Sequence, residues 1–204
     1  MKKFLLLIIV VILAGFTFYQ FVLKKGPENQ VAKTAPLAIN SHSTVFNTAF
    51  EKIMADYYMV GNALVEWDST AADKAALQVQ QSTIALPLGE LKADSTAVET
   101  ARNFVQSMDA EINGFLGEKS IEQKRRAFNM LTSELYDLIR TVRYDGEIIY
   151  HDKCQMAFGD SSEGYWLTNQ RVITNPYLGK LHPTYKNKMV GCGETVDSLN
   201  FLKN

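Results

Sequence analysis

Residues 120–142, SIEQKRRAFNMLTSELYDLIRTV, decide the fold of this chain. Ile121, Phe128, Leu131, Leu135, Leu138 and Val142 fall on one face of an α-helix, while charged and polar side chains fill the rest of the turn. Ser120 stands three residues before Gln123, the spacing of a capping box, and so marks where the helix starts. A helix that is apolar along one stripe has to bury that stripe against another element. The sequence on its N-terminal side supplies the partners.

Working upstream, Val98, Ala101, Val105, Met108, Ile112 and Phe115 repeat in steps of three and four, opened near Asp94-Ser95 and ended by Gly117. Before that, Asp68, Ser69 and Thr70 offer caps for a helix from Ala71 to about Leu86. Its alanines at 71, 72, 75 and 76 allow close approach, and Pro87 and Gly89 stop it. Phe46, Phe50, Ile53, Tyr57, Val60 and Leu64 form a further stripe, on a helix opened by Ser43 or Thr44. Four amphipathic helices joined by short loops predict an antiparallel four-helix bundle over residues 43–142, with the aromatic and methionine side chains of the stripes as its core. The fold class expected is mainly α.

Downstream of Arg143 the texture changes. Asp145-Gly146 is a turn signal, Glu147 to Tyr150 reads as a brief β-like stretch, and glycines, aromatics and prolines follow without helical period. Residues 143–204 are therefore expected to form a small irregular or β module packed on the bundle.

At the other end, Met1-Lys2-Lys3 precedes Phe4 to Leu23, a run without charge that would span roughly 30 Å as a helix, the thickness of a hydrocarbon core. The run closes Gln20-Phe21-Val22-Leu23, without the small residues of a cleavage site, so residues 1–25 read as a signal-anchor rather than a cleaved signal peptide. Residues 26–42, with Gly26, Pro27 and Pro36, read as a linker. The body is then expected in the periplasm, held to the inner membrane through residues 4–23, or released into the periplasm if the segment is cleaved. The formal charge is -1 and the 21 basic side chains are scattered, which argues against nucleic acid as a partner.

Candidate chemistry is concentrated in the tail, where His151, Cys154, Met156, His182, Met189 and Cys192 bring together soft and borderline ligands. In an extended segment Cys154 and Met156 would point the same way, and Met189 and Cys192 would share one side of a helical turn. Thiolates and thioethers select soft monovalent ions such as Cu(I) or Ag(I). A disulfide between Cys154 and Cys192 is the competing reading, since an exported location permits it and closing so long a loop is worth about 4 kcal/mol. The residue types leave both open. With no Cys-x-x-Cys, no serine elbow and no phosphate loop, catalysis is not expected.

The tail also resembles a known family. Tyr150, Cys154-Gln155-Met156-Ala157, Gly164-Tyr165-Trp166-Leu167, Ile173-x-Asn175-Pro176-Tyr177-x-Gly179 and Met189-x-x-Cys192-Gly193-Glu194 follow, in order, the signature of a DUF3347-like family of exported domains of unknown function. That family occurs alone in Bacteroidetes and, in a related form, at the C-terminus of periplasmic adaptor subunits of copper/silver efflux pumps. Upstream, Tyr58-x-x-x-x-Ala63-Leu64 and Arg125-x-x-Phe128-x-x-Leu131-Thr132 look like its helical part, so the resemblance runs over about residues 45 to 200. It implies a link to heavy-metal handling, with a pump or adaptor as partner and Cys154, Met156, Met189 and Cys192 as ligands. Two departures stand out. Gln155 replaces a frequent proline, and a longer stretch, Lys180 to Lys188, adds His182 as a further donor. Trp166 is expected either as a core residue or as a π cap over a bound cation. The function expected is soft-metal sequestration or hand-off to an efflux system, the alternative being a disulfide-stapled interaction domain without metal.

Overall fold

The computed structural model describes residues 42–159 and 162–202. The expected membrane segment and nearly all of the expected linker lie outside these residues. Among the described residues, no helix is long and apolar enough to cross a membrane.

The chain is mainly helical, with helices α1 (Thr44–Val65), α2 (Ser69–Ile84), α3 (Ser95–Gly117) and α4 (Ile121–Val142). Each begins where a short polar side chain can take a backbone N–H that has no partner inside the helix. Ser43 accepts from Phe46 N at 3.1 Å, Asp68 from Ala71 N at 2.9 Å, Asp94 from Ala97 N at 2.8 Å and Ser120 from Gln123 N at 3.2 Å. A 3-10 turn at Leu88–Glu90 follows Pro87, which cannot donate to a continuing helix. At the far end of α4, Arg143 takes the left-handed conformation (φ 53°), and the chain turns towards the sheet.

Consecutive helices pack on one another, α1 on α2, α2 on α3 and α3 on α4. Side chains close the ring between α1 and α4: the rings of Tyr57 and Phe128 stack at 5.1 Å, and the Tyr57 hydroxyl bonds Thr132 Oγ1 at 2.7 Å. All six residues of the α1 stripe are buried, as are Phe128, Leu131, Leu135, Leu138 and Val142 of α4. Two charged neighbours of that stripe are buried with them. Lys124 donates to Asp73 at 2.6 Å and to Phe115 O at 3.0 Å, and Arg125 donates to Leu64 O and Pro176 O, both at 2.8 Å. The run Lys124-Arg125-Arg126 looks like a solvated face in sequence. Two of its three side chains instead tie the bundle together.

The tail forms a sheet of strands β1 (Ile149–Cys154), β2 (Gly164–Thr168) and β3 (Glu194–Leu199), all antiparallel, in the order β2-β1-β3. The β-like stretch expected at Glu147 to Tyr150 overlaps the start of β1 at Ile149 and Tyr150, whereas β2 and β3 are strands that the sequence pattern does not show. β3 accommodates one extra residue, Val196, between the partners of His151 and Asp152.

β2 is an edge strand, and its outward N–H groups would be buried without partners if the bundle did not supply them. Tyr165 N donates to Asn129 Oδ1 at 2.7 Å and Leu167 N to the Tyr57 hydroxyl at 3.1 Å. Helices α1 and α4 thus act as the next strand of the sheet. One hydrophobic core runs from Phe46 through Phe128 to Trp166, Leu167, Tyr177 and Leu199. Replacing Tyr57 by Phe keeps the ring but removes the acceptor for Leu167 N and the bond to Thr132. The expected cost is about 1–3 kcal/mol, read as a lower urea midpoint with an unchanged slope.

Candidate functional site: a thiol pair beneath the long loop

Strand alternation divides the tail's candidate residues between two faces of the sheet. Ile149 and His151 face α4 together with Tyr165 and Leu167, and the His151 ring lies 4.4 Å from Tyr136 and 5.1 Å from Tyr165. Asp152, Cys154 and Trp166 face the other way, under the loop that joins β2 to β3. His151 is therefore separated from Cys154 by the sheet itself, and burial lowers its tendency to protonate against the opposing pull of Asp197 and Asp137.

The covering loop owes its shape to Asn175, which is fully buried. Its Oδ1 accepts from Tyr177 N at 2.8 Å and Leu178 N at 2.9 Å, forming the turn that leads into Gly179. Its Nδ2 donates to Cys192 O at 2.6 Å, and its own N–H donates to Val190 O at 2.7 Å. One side chain thus stitches the first half of the loop to the segment carrying Cys192. Gly193 follows with φ +150°, and a Cβ there would stand 2.7 Å from the Trp166 ring and 2.8 Å from Lys153 O. Only glycine lets the chain pass this close to β1.

The result is that Cys154, buried at the end of β1, and Cys192, half-buried on the loop, lie with their sulfurs 3.7 Å apart, both as free thiols. Burial pushes the Cys192 thiol up, and its contact with Cys154 adds to the shift. Buried Asp152, two residues before Cys154 on the same face, accepts from Thr195 Oγ1 at 2.6 Å through Oδ1, while Oδ2 has no partner among the described residues. Burial raises its carboxyl above the ordinary range, and the Thr195 bond opposes this.

Of the four other candidates, only Met189 lies on the same turn as one of the thiols. The extended geometry expected for Cys154-x-Met156 stops at Cys154. Gly159 N donates to Met156 O at 3.3 Å, so Met156 belongs to a turn beyond the strand, and it is 40% exposed. Met189 and Cys192 do share a turn, closed by Cys192 N to Met189 O at 3.0 Å, with Met189 packed partly against the core. The His182 Nδ1 accepts from Thr184 N and Tyr185 N, both at 3.2 Å. A neutral imidazole accepting at Nδ1 carries its proton on Nε2, so this ring has no lone pair left for a metal. Trp166 is a core residue, 3% exposed, edge-on to Tyr177 at 6.1 Å.

Two thiolates 3.7 Å apart can hold one ion between them, since two metal–sulfur bonds of about 2.3 Å span up to about 4.6 Å. Among the described residues no group of three or more His, Cys, Asp or Glu side chains is placed to share an ion. A structural zinc site wants four such ligands.

Two outcomes follow from this geometry. Because burial and the contact with Cys154 push the Cys192 thiol above the ordinary range, its alkylation by iodoacetamide should still be rising at about pH 10, where an ordinary thiol is levelling off; mass spectrometry of the modified peptide reads this. Asn175→Ala leaves three backbone groups unpaired, and should cost about 3 kcal/mol or more in urea unfolding and slow diamide-driven crosslinking of Cys154 to Cys192.

Residues 53–145 match the model of a family described as a protein of unknown function (DUF3347). The match takes in most of α1, the other three helices and the turn after α4, and it ends before β1, so both cysteines lie beyond it. No curated protein and no solved structure matches the chain. The helical part of this chain is thus similar to a domain of unknown function.

Proposed function

We propose that this chain is an exported accessory protein, tethered to the inner membrane through residues 4–23, that holds one Cu(I) or Ag(I) ion as cargo between Cys154 and Cys192. The observation that carries the reading is the 3.7 Å approach of two free thiols delivered by separate elements, the end of β1 and the loop before β3. Thiolates supply the dominant bonds because they neutralise a cation, whereas a thioether offers only a neutral lone pair. Met189, one turn from Cys192, is the better placed auxiliary donor, and Met156 is the more weakly held one. Sequestration or hand-off to a heavy-metal efflux pump or its adaptor, without turnover, is the role such a site would serve in the periplasm.

The same separation supports a second reading, a Cys154–Cys192 disulfide in an interaction domain without metal. Sulfurs 3.7 Å apart need only a modest side-chain shift to reach a bond of about 2.05 Å. The bond would then staple the loop to the sheet and leave no thiolate for an ion.

Titration of the reduced full-length protein with Cu(I) against a competing chelator separates the two. The metal reading expects about one ion per chain and a loss of at least tenfold in affinity for Cys154→Ser or Cys192→Ser, with smaller losses for Met189→Leu and Met156→Leu. The methionine changes keep volume and apolarity nearly constant, so they report on ligation rather than packing. No competition by the parent protein, together with no free thiol in protein isolated from the periplasm, would leave the disulfide reading in its place.

A further inference from the structure

A second feature of the tail lies apart from the thiols. A cleft of about 410 Å³ opens between α4 and the long loop, with Trp67, Phe158 and Tyr185 among its walls and Arg125, Arg126 and His182 as its polar lining. The aromatic walls are held in place by the cations themselves, with the Arg125 guanidinium 4.0 Å from the Trp67 ring centre and that of Arg126 4.5 Å from the Phe158 ring centre. The His182 ring stacks on Tyr185 at 4.7 Å.

The hydrogen-bonding capacity left over in this cleft is mainly that of donors, with the Glu122 carboxylate as the exception. Arg125 is 3% exposed and spends Nε on Pro176 O and Nη2 on Leu64 O, so its Nη1 has no acceptor among the described residues. It has no carboxylate partner within ion-pair distance among those residues, an uncommon state for a buried charge. Arg126 is exposed and likewise forms no ion pair among the described residues. His182 has its Nδ1 lone pair committed to the amides of Thr184 and Tyr185, which leaves Nε2–H as a donor. Glu122, exposed on the first turn of α4, also lines the cleft and offsets one of the two positive charges. Three donor groups and flat apolar walls in a volume suited to a small molecule define the occupant by its chemistry.

We propose that this cleft is a binding site for a small organic anion with a flat apolar body, its carboxylate taken by Arg126, His182 Nε2–H and the spare face of Arg125, and its body laid between Trp67 and Phe158. Neither cysteine lines the cleft, although Met156, the weaker auxiliary donor of the metal reading, does.

Calorimetric titration of the full-length protein with 3-phenylpropionate, and in parallel with the neutral 3-phenylpropionamide, tests this. Trp67 fluorescence gives a second readout from within the cleft. The acid should bind saturably at one site per chain, with Kd on the order of 1 mM for so small a probe, and the amide about tenfold more weakly. Arg126→Gln removes a charge from an exposed side chain and should weaken the acid about three- to tenfold while leaving thermal stability unchanged. His182→Asn supplies another acceptor for the Thr184 and Tyr185 amides but removes the Nε2–H donor, and should also weaken the acid, by at least about threefold. Arg125 is left intact because it also holds the fold. Equal binding of acid and amide, parental affinity in both variants, or no saturable binding of the acid would overturn the proposal.

Discussion

The guanidinium of Arg125 is buried against two backbone carbonyls and an indole ring, and the arrangement of the tail on the bundle follows from it. An isolated buried charge is costly unless fully bonded. Here the cost is offset by Leu64 O and Pro176 O at 2.8 Å and by the face of Trp67 at 4.0 Å. Leu64 lies in the last turn of α1, where carbonyls lack partners within the helix and carry the negative end of its dipole. A cation from α4 meets that need, while the bond to Pro176 O pins the start of the Pro176–Gly179 turn to the same spot. Two further bonds extend the junction, Lys180 N to Val65 O at 2.8 Å and Trp67 Nε1 to Leu178 O at 3.1 Å. Burial lowers the Arg125 guanidinium to about 10, so the charge on which this junction depends persists across the physiological range.

From that junction the order passes along the chain to the thiols. With Pro176 fixed, Tyr177 enters the core, and its hydroxyl bonds Tyr165 O and Asn129 Oδ1, the atom that also takes the N–H of Tyr165. Asn175 Oδ1 then has its two amide donors, Tyr177 N and Leu178 N, in place, and its Nδ2 reaches across to Cys192 O at 2.6 Å. Each step is a backbone polar group that would otherwise be buried without a partner, so the loop has little freedom to settle elsewhere. Cys192 reaches Cys154 because Asn175 and Gly193 leave the chain one path. The organisation is that of a helical platform carrying a loop whose tip is positioned by hydrogen bonds to the main chain, which brings two sulfurs to within 3.7 Å.

The helical part was legible in sequence because its signals are local. The caps were read to within a residue or two, as Ser43 or Thr44, Asp68 to Thr70, Asp94-Ser95 and Ser120, along with the stripes at steps of three and four; the structure selects Ser43, Asp68, Asp94 and Ser120, and it sets the second helix at Ser69–Ile84 where Ala71 to about Leu86 was expected. Only the Ser120 half of the expected capping box forms among the described residues. The sheet was legible in part. β1 was expected from Glu147 to Tyr150 and runs from Ile149 to Cys154, while β2 and β3 carry no clear alternation, because β2 is buried on both faces and β3 is mostly exposed. The buried roles of Lys124 and Arg125 were invisible, since a charge run gives no sign of which side chain will find carbonyls on another helix.

For the candidate site the division is similar. The sequence by itself determined which donors exist and that Cys154 and Cys192 must meet if either reading is to work, and the residues between Ile173 and Gly179 carried the turn chemistry that makes the meeting possible. It also fixed His182 two and three residues before the amides it caps, although nothing in the spacing says that the ring accepts rather than ligates. Only the tertiary structure decided that His151 lies across the sheet from Cys154, that Met156 turns away beyond the strand end, and that Arg125, Arg126 and His182 face one cleft. The physical reason is range. Caps, stripes and turns are settled by neighbours a few residues away, whereas the partners of a buried charge or a strand edge lie as far off as the 110 residues between Tyr57 and Leu167, and only the folded chain brings them together.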